Sequence, residues 1–585
     1  MRGEEHFIQA QKQAIERAHK RGKGIPGEEA QRRWKNGQPI HRRELPQVPM
    51  NHKDLQNHPL GPQFIQSQKD HLGSHDQKGT WKEVSTNDPD ADGCEILDSR
   101  WVFAYKFDKH GILQKVKARL VVRGDQQSRT SDENNYAATL AGRSFRTVMA
   151  IAAKFDLELI QYDAVNAFVN VRLDEKVFMR PPPGYRKRGV ILRLKKALYG
   201  LRRSPLLWQR DLTSILLDIG YKPVPHEPCA FLRNGIIVFF YVDDIVIAYR
   251  KEKQSEARET IRQLKQKYEL QGGNDLHWFL GIQVIRDRSK RRIWLTQTSY
   301  IDKTSNLALE RHHGWTPMKQ EELLPFNETA KLQDVRAYQR KIGSLMYIAV
   351  QTRPDIAFAV SKLARFMTNP GPQHHSAADR VLNYLEQSKS LGLKFGGDKD
   401  LRVASDASFA DNKLDRKSSQ GYAIKLFGGM IGWRANKQNT VTTSTTEAEL
   451  LALAQAAKES MFVSCLLKEL TVKLDDERIR IECDNQQTIG IVTKENLALR
   501  SNLRHVDIHN HWLRQEYQRG QIDVVYTQSS NMIADGLTKA LPRQSFEKFR
   551  AEMGLEDIQE RIRENTAEES NDVNIDDNFW TTDAE

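Results

Sequence analysis

The sequence predicts a multidomain protein of mixed α+β and α/β class, and three features carry that prediction. The first is residues 236–248, an apolar, β-branched and aromatic run broken only by Asp243 and Asp244, which reads as two buried strands meeting at a tight turn. The second is a change of pattern near residue 400, after which short strands ending in an acid alternate with helical segments. The third is length. A chain of 585 residues exceeds what one hydrophobic core fills, so two to four domains are expected.

Composition narrows the partners. Lys and Arg number 89 against 76 Asp and Glu, for a net charge of +13. The last 35 residues hold twelve acids and two bases, which leaves the preceding body near +23. Such an excess favours a polyanionic partner. The four cysteines (Cys94, Cys229, Cys465, Cys483) are scattered, without the paired spacing of a zinc site or a disulfide framework, as in a reducing compartment. No apolar run approaches the ~18 residues that span a bilayer, and no signal-peptide core opens the chain, so no membrane partner is expected.

Residues 1–77 are polar and basic and read as a mostly flexible lead with one helix near 7–20. Residues 100–106 and 116–123 alternate as a β-hairpin through the turn at 108–111, carrying Lys106, Lys117, Arg119 and Arg123. Basic residues on a strand pair suit phosphate, or equally guard an exposed edge. Residues 144–155 are helical by period, and the strand 157–162 runs into Asp163. Residues 193–217 read as a segment continuing into a long amphipathic helix, Pro223, Pro225 and Pro228 as a loop, 254–268 as a helix and 278–284 as one strand. Helices are expected over 336–391. Beyond 400, strands at 401–406, 421–427, 429–434, 479–484 and 522–526 surround helices at 446–470, around Leu497 and Arg500, and at 505–517, with a short helix at 532–535. The acidic tail from 546 to 585 is expected to be disordered, at least beyond 564.

Two carboxylate sets stand out. Buried ionised acids must be paired or bind metal. Asp163 closes an apolar strand, where α/β folds place ligands, and makes a third acid for the Asp243–Asp244 turn. Carboxylates without His or Cys suit hard ions such as Mg²⁺, and two such ions can drive phosphoryl transfer. In the second unit, Asp406, Glu449, Asp484 and Asp535 fall at a strand end, a helix, a strand end and a helix start. Glu447 and Glu449 are two apart on one helix, so only one of them can face that site.

Tyr241-Val242-Asp243-Asp244 resembles the palm hairpin of reverse transcriptases. The stretches 162–168 (Tyr-Asp-Ala-Val-Asn-Ala-Phe), 182–185 (Pro-Pro-Gly-Tyr), 117–121 (Lys-Ala-Arg-Leu-Val), 196–201 (Lys-Ala-Leu-Tyr-Gly-Leu), 279–282 (Phe-Leu-Gly-Ile) and 352–356 (Thr-Arg-Pro-Asp-Ile) are similar to the copia-type LTR-retrotransposon polymerase. The stretches 405–408 (Ser-Asp-Ala-Ser), 415–422 (Asp-Arg-Lys-Ser-Ser-Gln-Gly-Tyr), 444–449 (Ser-Thr-Thr-Glu-Ala-Glu), 484–485 (Asp-Asn), 505–508 (His-Val-Asp-Ile) and 534–539 (Ala-Asp-Gly-Leu-Thr-Lys) resemble the ribonuclease H domain that follows it. The likeness runs in order over about residues 78–545. It implies a right-hand polymerase (fingers, palm and thumb, 78–320), a helical connection (321–399) and a ribonuclease H-like domain (400–545), copying retrotransposon RNA into DNA and cutting RNA in the hybrid.

By the same resemblance, Asp163, Asp243 and Asp244 would be catalytic and hold Mg²⁺ or Mn²⁺, two ions per site, as would Asp406, Glu449, Asp484 and Asp535. Phe168 would test the sugar 2′ position of an incoming dNTP, Tyr199 and Gly200 would lie beneath the nucleotide, and Lys117 or Arg119 would meet the triphosphate. His505 would assist product release or bind a phosphate. The implied partners are an RNA template, a DNA primer, the RNA–DNA hybrid and dNTPs, with a homodimer or association with other element proteins compatible with the family. The implied location is a cytoplasmic particle, with the nucleus as the alternative. Val171 stands where the family usually has Gly, and Arg202-Arg203 where it has Lys-Gln. These departures keep open an alternative, an inactive copy that only binds nucleic acid. The absence of protease, zinc-module and integrase signatures leads to the expectation of a C-terminal portion of a longer polyprotein.

Overall fold

The computed structural model describes residues 27–568 apart from 43, 108–110, 129–134, 312–313, 495–498 and 500–502. The helix expected near 7–20, most of the hairpin turn and the helix expected around Leu497 and Arg500 lie outside the described residues. At the centre is a six-stranded antiparallel sheet in the spatial order Leu270–Asp275, Glu158–Ala164, Asp244–Tyr249, Ile236–Tyr241, Glu227–Arg233, Lys222–Val224. Its two middle strands are the apolar run of the sequence, and Val238, Phe239, Ile245, Val246 and Ile247 are fully buried. Burial on both faces explains why the run shows no alternation. Helix Gly142–Phe155 packs behind this sheet, with Phe145 stacked on Phe279.

In front of the sheet, the hairpin Ser99–Phe107 and Leu113–Val122 pairs Ala104 with Lys117 and Val102 with Arg119. A four-stranded sheet of Trp81–Ser85, Val190–Lys196, Arg172–Met179 and Ile96–Leu97 flanks it. The segment 190–196 is therefore a strand and the helix starts only at Ser204, with Pro205 in its first turn. The proline-marked stretch 222–228 is not a loop but the edge hairpin of the central sheet, where a proline at an edge costs little. Residues 278–284 split into two strands around Leu280-Gly281, both at positive φ (54° and 69°).

The expectation of a flexible lead is corrected by helices Gly27–Lys35 and Gly61–Gln77. Ala30, Leu55, Leu60 and Phe64 are buried with Phe103, Val116 and Leu120 of the hairpin. Polar side chains do part of this packing, which is why hydropathy misses it. Ser67 Oγ accepts from the Ala118 amide at 2.9 Å and His71 Nε2 from the Leu120 amide at 3.1 Å, covering the hairpin's open edge. Burial holds His71 neutral, its pKa pushed down to about 3.

From residue 401 a second sheet runs in the order Gly429–Lys437, Ser419–Leu426, Leu401–Ser408, Ile479–Cys483, Ile522–Tyr526. The first three strands are antiparallel and the last two join in parallel, around helix Thr445–Glu469. This is the second α/β unit expected beyond residue 400. Among the described residues, that helix alone is long and apolar enough to cross a membrane, contrary to the reading that no such run exists. It packs on the sheet, with Leu450, Leu453, Ala456, Ala457 and Val463 fully buried.

The tail is also corrected. Residues 555–557 form an edge strand beside Leu391–Phe395, which continues the sheet of Arg292–Thr296 and Ile282–Asp287. Helix Gln559–Glu568 follows, with Arg561 stacked on Trp294 at 4.4 Å and bonded to Asp287 at 3.0 Å. Met553, Leu555 and Ile558 are buried, which composition averaged over an acidic tail conceals.

Candidate active sites

In the central sheet Asp244 lies directly across from Asp163, so the two side chains share one face. Asp243 occupies the turn. Val242, beside it, has φ of 54°, a costly conformation for a β-branched residue. Trp208 Nε1 donates to the Val242 carbonyl at 2.6 Å, and the Ala164 amide donates to the Asp243 carbonyl at 2.9 Å. The turn is thus held rigidly in a shape that its residues do not prefer. Gln161, two residues before Asp163 on the same face, donates from Nε2 to Asp244 Oδ1 at 2.9 Å. Tyr199 OH donates to Asp243 Oδ2 at 3.4 Å.

Electrostatics mark the group as crowded. Desolvation, then the Asp243 charge, raises Asp163 to about 6, although Lys117, Arg119 and Lys106 pull the other way. Desolvation followed by Asp243 raises Asp244 to about 7. Burial, then Arg119, lowers Lys117 to about 8. Lys106, Lys115, Lys117 and Arg119 share one face of the hairpin by register. Arg119 lies 4.4 Å over the Tyr199 ring, which meets Phe168 edge-on at 4.5 Å. Lys117, Arg119, Phe168 and Tyr199 therefore gather beside the acids.

Gly200 meets a backbone demand. A Cβ there would lie 2.0 Å from the Val122 carbonyl, and φ is 95°, so only glycine lets this backbone meet the end of the hairpin. The family departures are accommodated. Val171 has φ of −106°, Arg202 Nη1 donates to the Ser128 carbonyl at 3.3 Å, and Arg203 pairs with Asp174 at 2.6 Å.

The second site is tighter. Asp406, Glu449 and Asp484 each offer an oxygen within 4.8 Å of the others, the one such group among the described residues. The palm trio is more open. Glu449 Oε1 accepts from the Ala407 amide at 3.2 Å, while Oε2 is buried without a partner. Desolvation, then Asp406 and Asp484, raises Glu449 to about 9, and desolvation raises Asp406 to about 6. Glu447 instead accepts from the Thr443 amide and hydroxyl at 2.6 and 2.7 Å, just ahead of its own helix, so Glu449 is the one facing the site. Asp535 stands outside the close trio, paired with Lys539, and burial raises its pKa. His505 is exposed at the start of helix Arg504–Gln518.

Sequence reasoning missed several supporting groups. Gln161 was legible in the two-residue period of its strand and Lys539 in its four-residue spacing from Asp535. Thr538, whose hydroxyl bonds Asp406, lies in the matching stretch 534–539 without a role read for it, and Ser529, which donates to Asp484 at 2.6 Å, carries no sequence signal.

A sheet with paired acids at its hairpin, a basic strand pair before it and a second mixed sheet with its own acid trio behind it make an α+β polymerase fold followed by a second acid-bearing unit. Residues 80–313 match the family described as reverse transcriptase (RNA-dependent DNA polymerase). The chain is 31% identical over 529 residues to the retrovirus-related Pol polyprotein from transposon TNT 1-94 of Nicotiana tabacum, covering 87% of this chain and 39% of that one. It is 32% identical over 498 residues to that of transposon RE1 of Arabidopsis thaliana, covering 83% and 33%. The chain belongs to the copia-type Pol polyproteins, and it spans between about a third and two-fifths of the length of these curated relatives. Among solved structures, a foamy viral protease-reverse transcriptase in complex with double-stranded DNA aligns over 80% of this chain and 70% of its own, with 13% identity and a TM-score of 0.46.

Proposed function

We propose that the chain is an RNA-directed DNA polymerase with a coupled ribonuclease H, extending a primer 3′-hydroxyl with dNTPs and cutting the RNA of the resulting hybrid. The observation that carries it is the gathering of Asp163, Asp243 and Asp244 before a basic strand face, within a segment of the reverse transcriptase family. The donor sets fit divalent ions. Both are all-carboxylate, both hold acids whose pKa values are raised by burial and then by neighbouring carboxylate charge, and Glu449 keeps a buried oxygen unpartnered. Mg²⁺ or Mn²⁺, two per site in this proposal, would bring charge to bridge phosphate oxygens and activate the attacking hydroxyl.

The protein's own contribution is placement. Asp163 and Asp243 are the stronger bridging candidates, with Asp244 oriented by Gln161. Lys117 or Arg119 would neutralise the triphosphate, Tyr199 would support the nucleotide, and Phe168 would exclude a 2′-hydroxyl. In the second site Asp406, Glu449 and Asp484 would bracket the scissile phosphate, with Asp535 joining once freed from Lys539. The basic body would hold nucleic-acid backbones, and the proposed setting is a cytoplasmic particle.

The test is dNTP incorporation on a homopolymer RNA template with a DNA primer in Mg²⁺, against Asp243→Asn. Incorporation no better than that variant's would leave the alternative, a copy that only binds nucleic acid. Cleavage of a labelled RNA–DNA hybrid, against Asp484→Asn, tests the second site separately.

A further inference from the structure

Arg146 sits in the palm-side helix Gly142–Phe155 and is buried at 5% exposure. Its guanidinium has no ion-pair partner among the described residues, which for a buried cation demands another form of compensation. That compensation comes from two other parts of the chain. Nη1 donates to the carbonyls of Val350 at 2.8 Å and Gln351 at 3.0 Å, the last residues of connection helix Leu332–Gln351. Nε donates to the carbonyl of Ile431 at 2.8 Å, on the nuclease strand Gly429–Lys437, and the plane lies 4.2 Å over the Trp433 ring of that strand.

Trp433 Nε1 in turn donates to the Ala349 carbonyl at 2.8 Å. The final carbonyls of a helix lack internal donors and carry the negative end of its dipole. Here Ala349, Val350 and Gln351 all receive theirs from the joint. Arg143, one turn earlier, pairs with Glu459 and stacks on Phe462 at 4.0 Å, both on helix Thr445–Glu469. His226 and Glu469 close the same seam further along.

We propose that Arg146 is a positioning residue that locks palm, connection and nuclease into one body and so sets the separation at which RNA is cut behind the growing primer end. This rests on the polymerase–nuclease reading given above. A cation with five donors in a planar fork can serve three carbonyls on two elements and a ring at once, and no other side chain can.

The test uses the full chain and Arg146→Met, with Arg146→Lys as the conservative variant. On a long RNA annealed to a DNA primer, the wild type should cut at one dominant distance from the primer 3′ end. Arg146→Met should spread the cuts over several base pairs while leaving primer extension, and cleavage of a hybrid too short to span both sites, within twofold. Lys should give an intermediate spread. In parallel, urea unfolding followed by tryptophan fluorescence should show one transition for the wild type and two for Arg146→Met. Should Arg146→Met not fold, Trp433→Phe, which keeps a ring but loses the Ala349 bond, serves in its place.

An unchanged cut distribution in a folded variant, or two unfolding transitions in the wild type, overturns the proposal. A wild type that neither extends nor cuts would sink the functional reading, and the unfolding experiment would still decide the joint.

Discussion

Glu449→Gln is the sharpest perturbation, because one substitution should raise stability and abolish cleavage together. Glu449 is 6% exposed, faces Asp406 and Asp484, and has its pKa raised from 4.5 to about 9. In the unfolded chain the same group ionises near its ordinary value. Between those two values the folded state binds more protons, so stability falls as pH rises from about 4.5 and keeps falling to about 9. At pH 7 the penalty is about 3 kcal/mol, from roughly 1.4 kcal/mol per unit over the interval already crossed. Glutamine has the same shape and no proton to lose, so the metal-free variant should be more stable by an amount on that order at pH 7 and by nothing at pH 4. The assay is chemical denaturation in EDTA across pH 4–8. Adding Mg²⁺ should then stabilise the wild type, through preferential binding to the folded state, and leave the variant unmoved. A variant no more stable than wild type at pH 7, or an equal response of both to Mg²⁺, would refute the crowded-acid account of this site.

Asp243→Asn should lower primer extension at least ~10²-fold while leaving cleavage of a pre-formed hybrid intact, read by the two assays in parallel. Polymerase activity should rise as pH climbs through the range about 6 to about 7, where Asp163 and Asp244 shed their protons, and be lost below it; a flat profile between pH 5.5 and 8 would contradict those shifts. Phe168→Val should raise incorporation of rNTPs relative to dNTPs by ~10–100-fold in competition primer extension, since a shape filter loses force when its bulk is removed. A chain ending at residue 545 removes the strand Leu555–Asp557 and the buried Phe546, Phe549, Met553, Leu555 and Ile558. At ~1.5–3 kcal/mol per side chain, an upper bound approaches the whole stability of a domain, so this truncation should be insoluble where a chain ending at 568 is not.

What was legible in the sequence followed from strong local rules. The run 236–248 was readable because burial on both faces leaves little but apolar residues and the acids that interrupt them. The strands that carry Asp163 and Asp406, and the one that stops just before Asp484, were readable from the same contrast. What escaped rests on contacts distant in sequence. Helix Gly61–Gln77 folds because Phe64, Ser67 and His71 find the hairpin edge, and nothing within residues 1–77 shows that edge. The strand Leu555–Asp557 exists only because Leu391–Phe395 offers it a partner. Two-way choices between neighbours, such as Glu447 against Glu449, were settled by the helix start at Ser444, whose position draws Glu447 back to Thr443 and turns Glu449 inward.

The two centres also differ in how their acids are held, and the difference bears on how each would work. In the second site the trio is already close and Glu449 is fixed by a backbone amide, so of the four acids only Asp535, paired with Lys539, would have to change partner. In the first site two of the acids are engaged by neighbouring side chains. Gln161 takes Asp244, and Tyr199 reaches Asp243 while Arg119 and Phe168 lie against its ring. The groups expected to receive the nucleotide are thus engaged with one another and with an acid. An incoming triphosphate would compete with Tyr199 for Arg119, and release of Tyr199 would free Asp243. The strained, pinned turn at Val242 keeps the acid's backbone fixed while its side chain changes partner. On the proposed function, the first site would complete its rearrangement as the nucleotide binds, whereas three of the four acids of the second are already brought together by the fold.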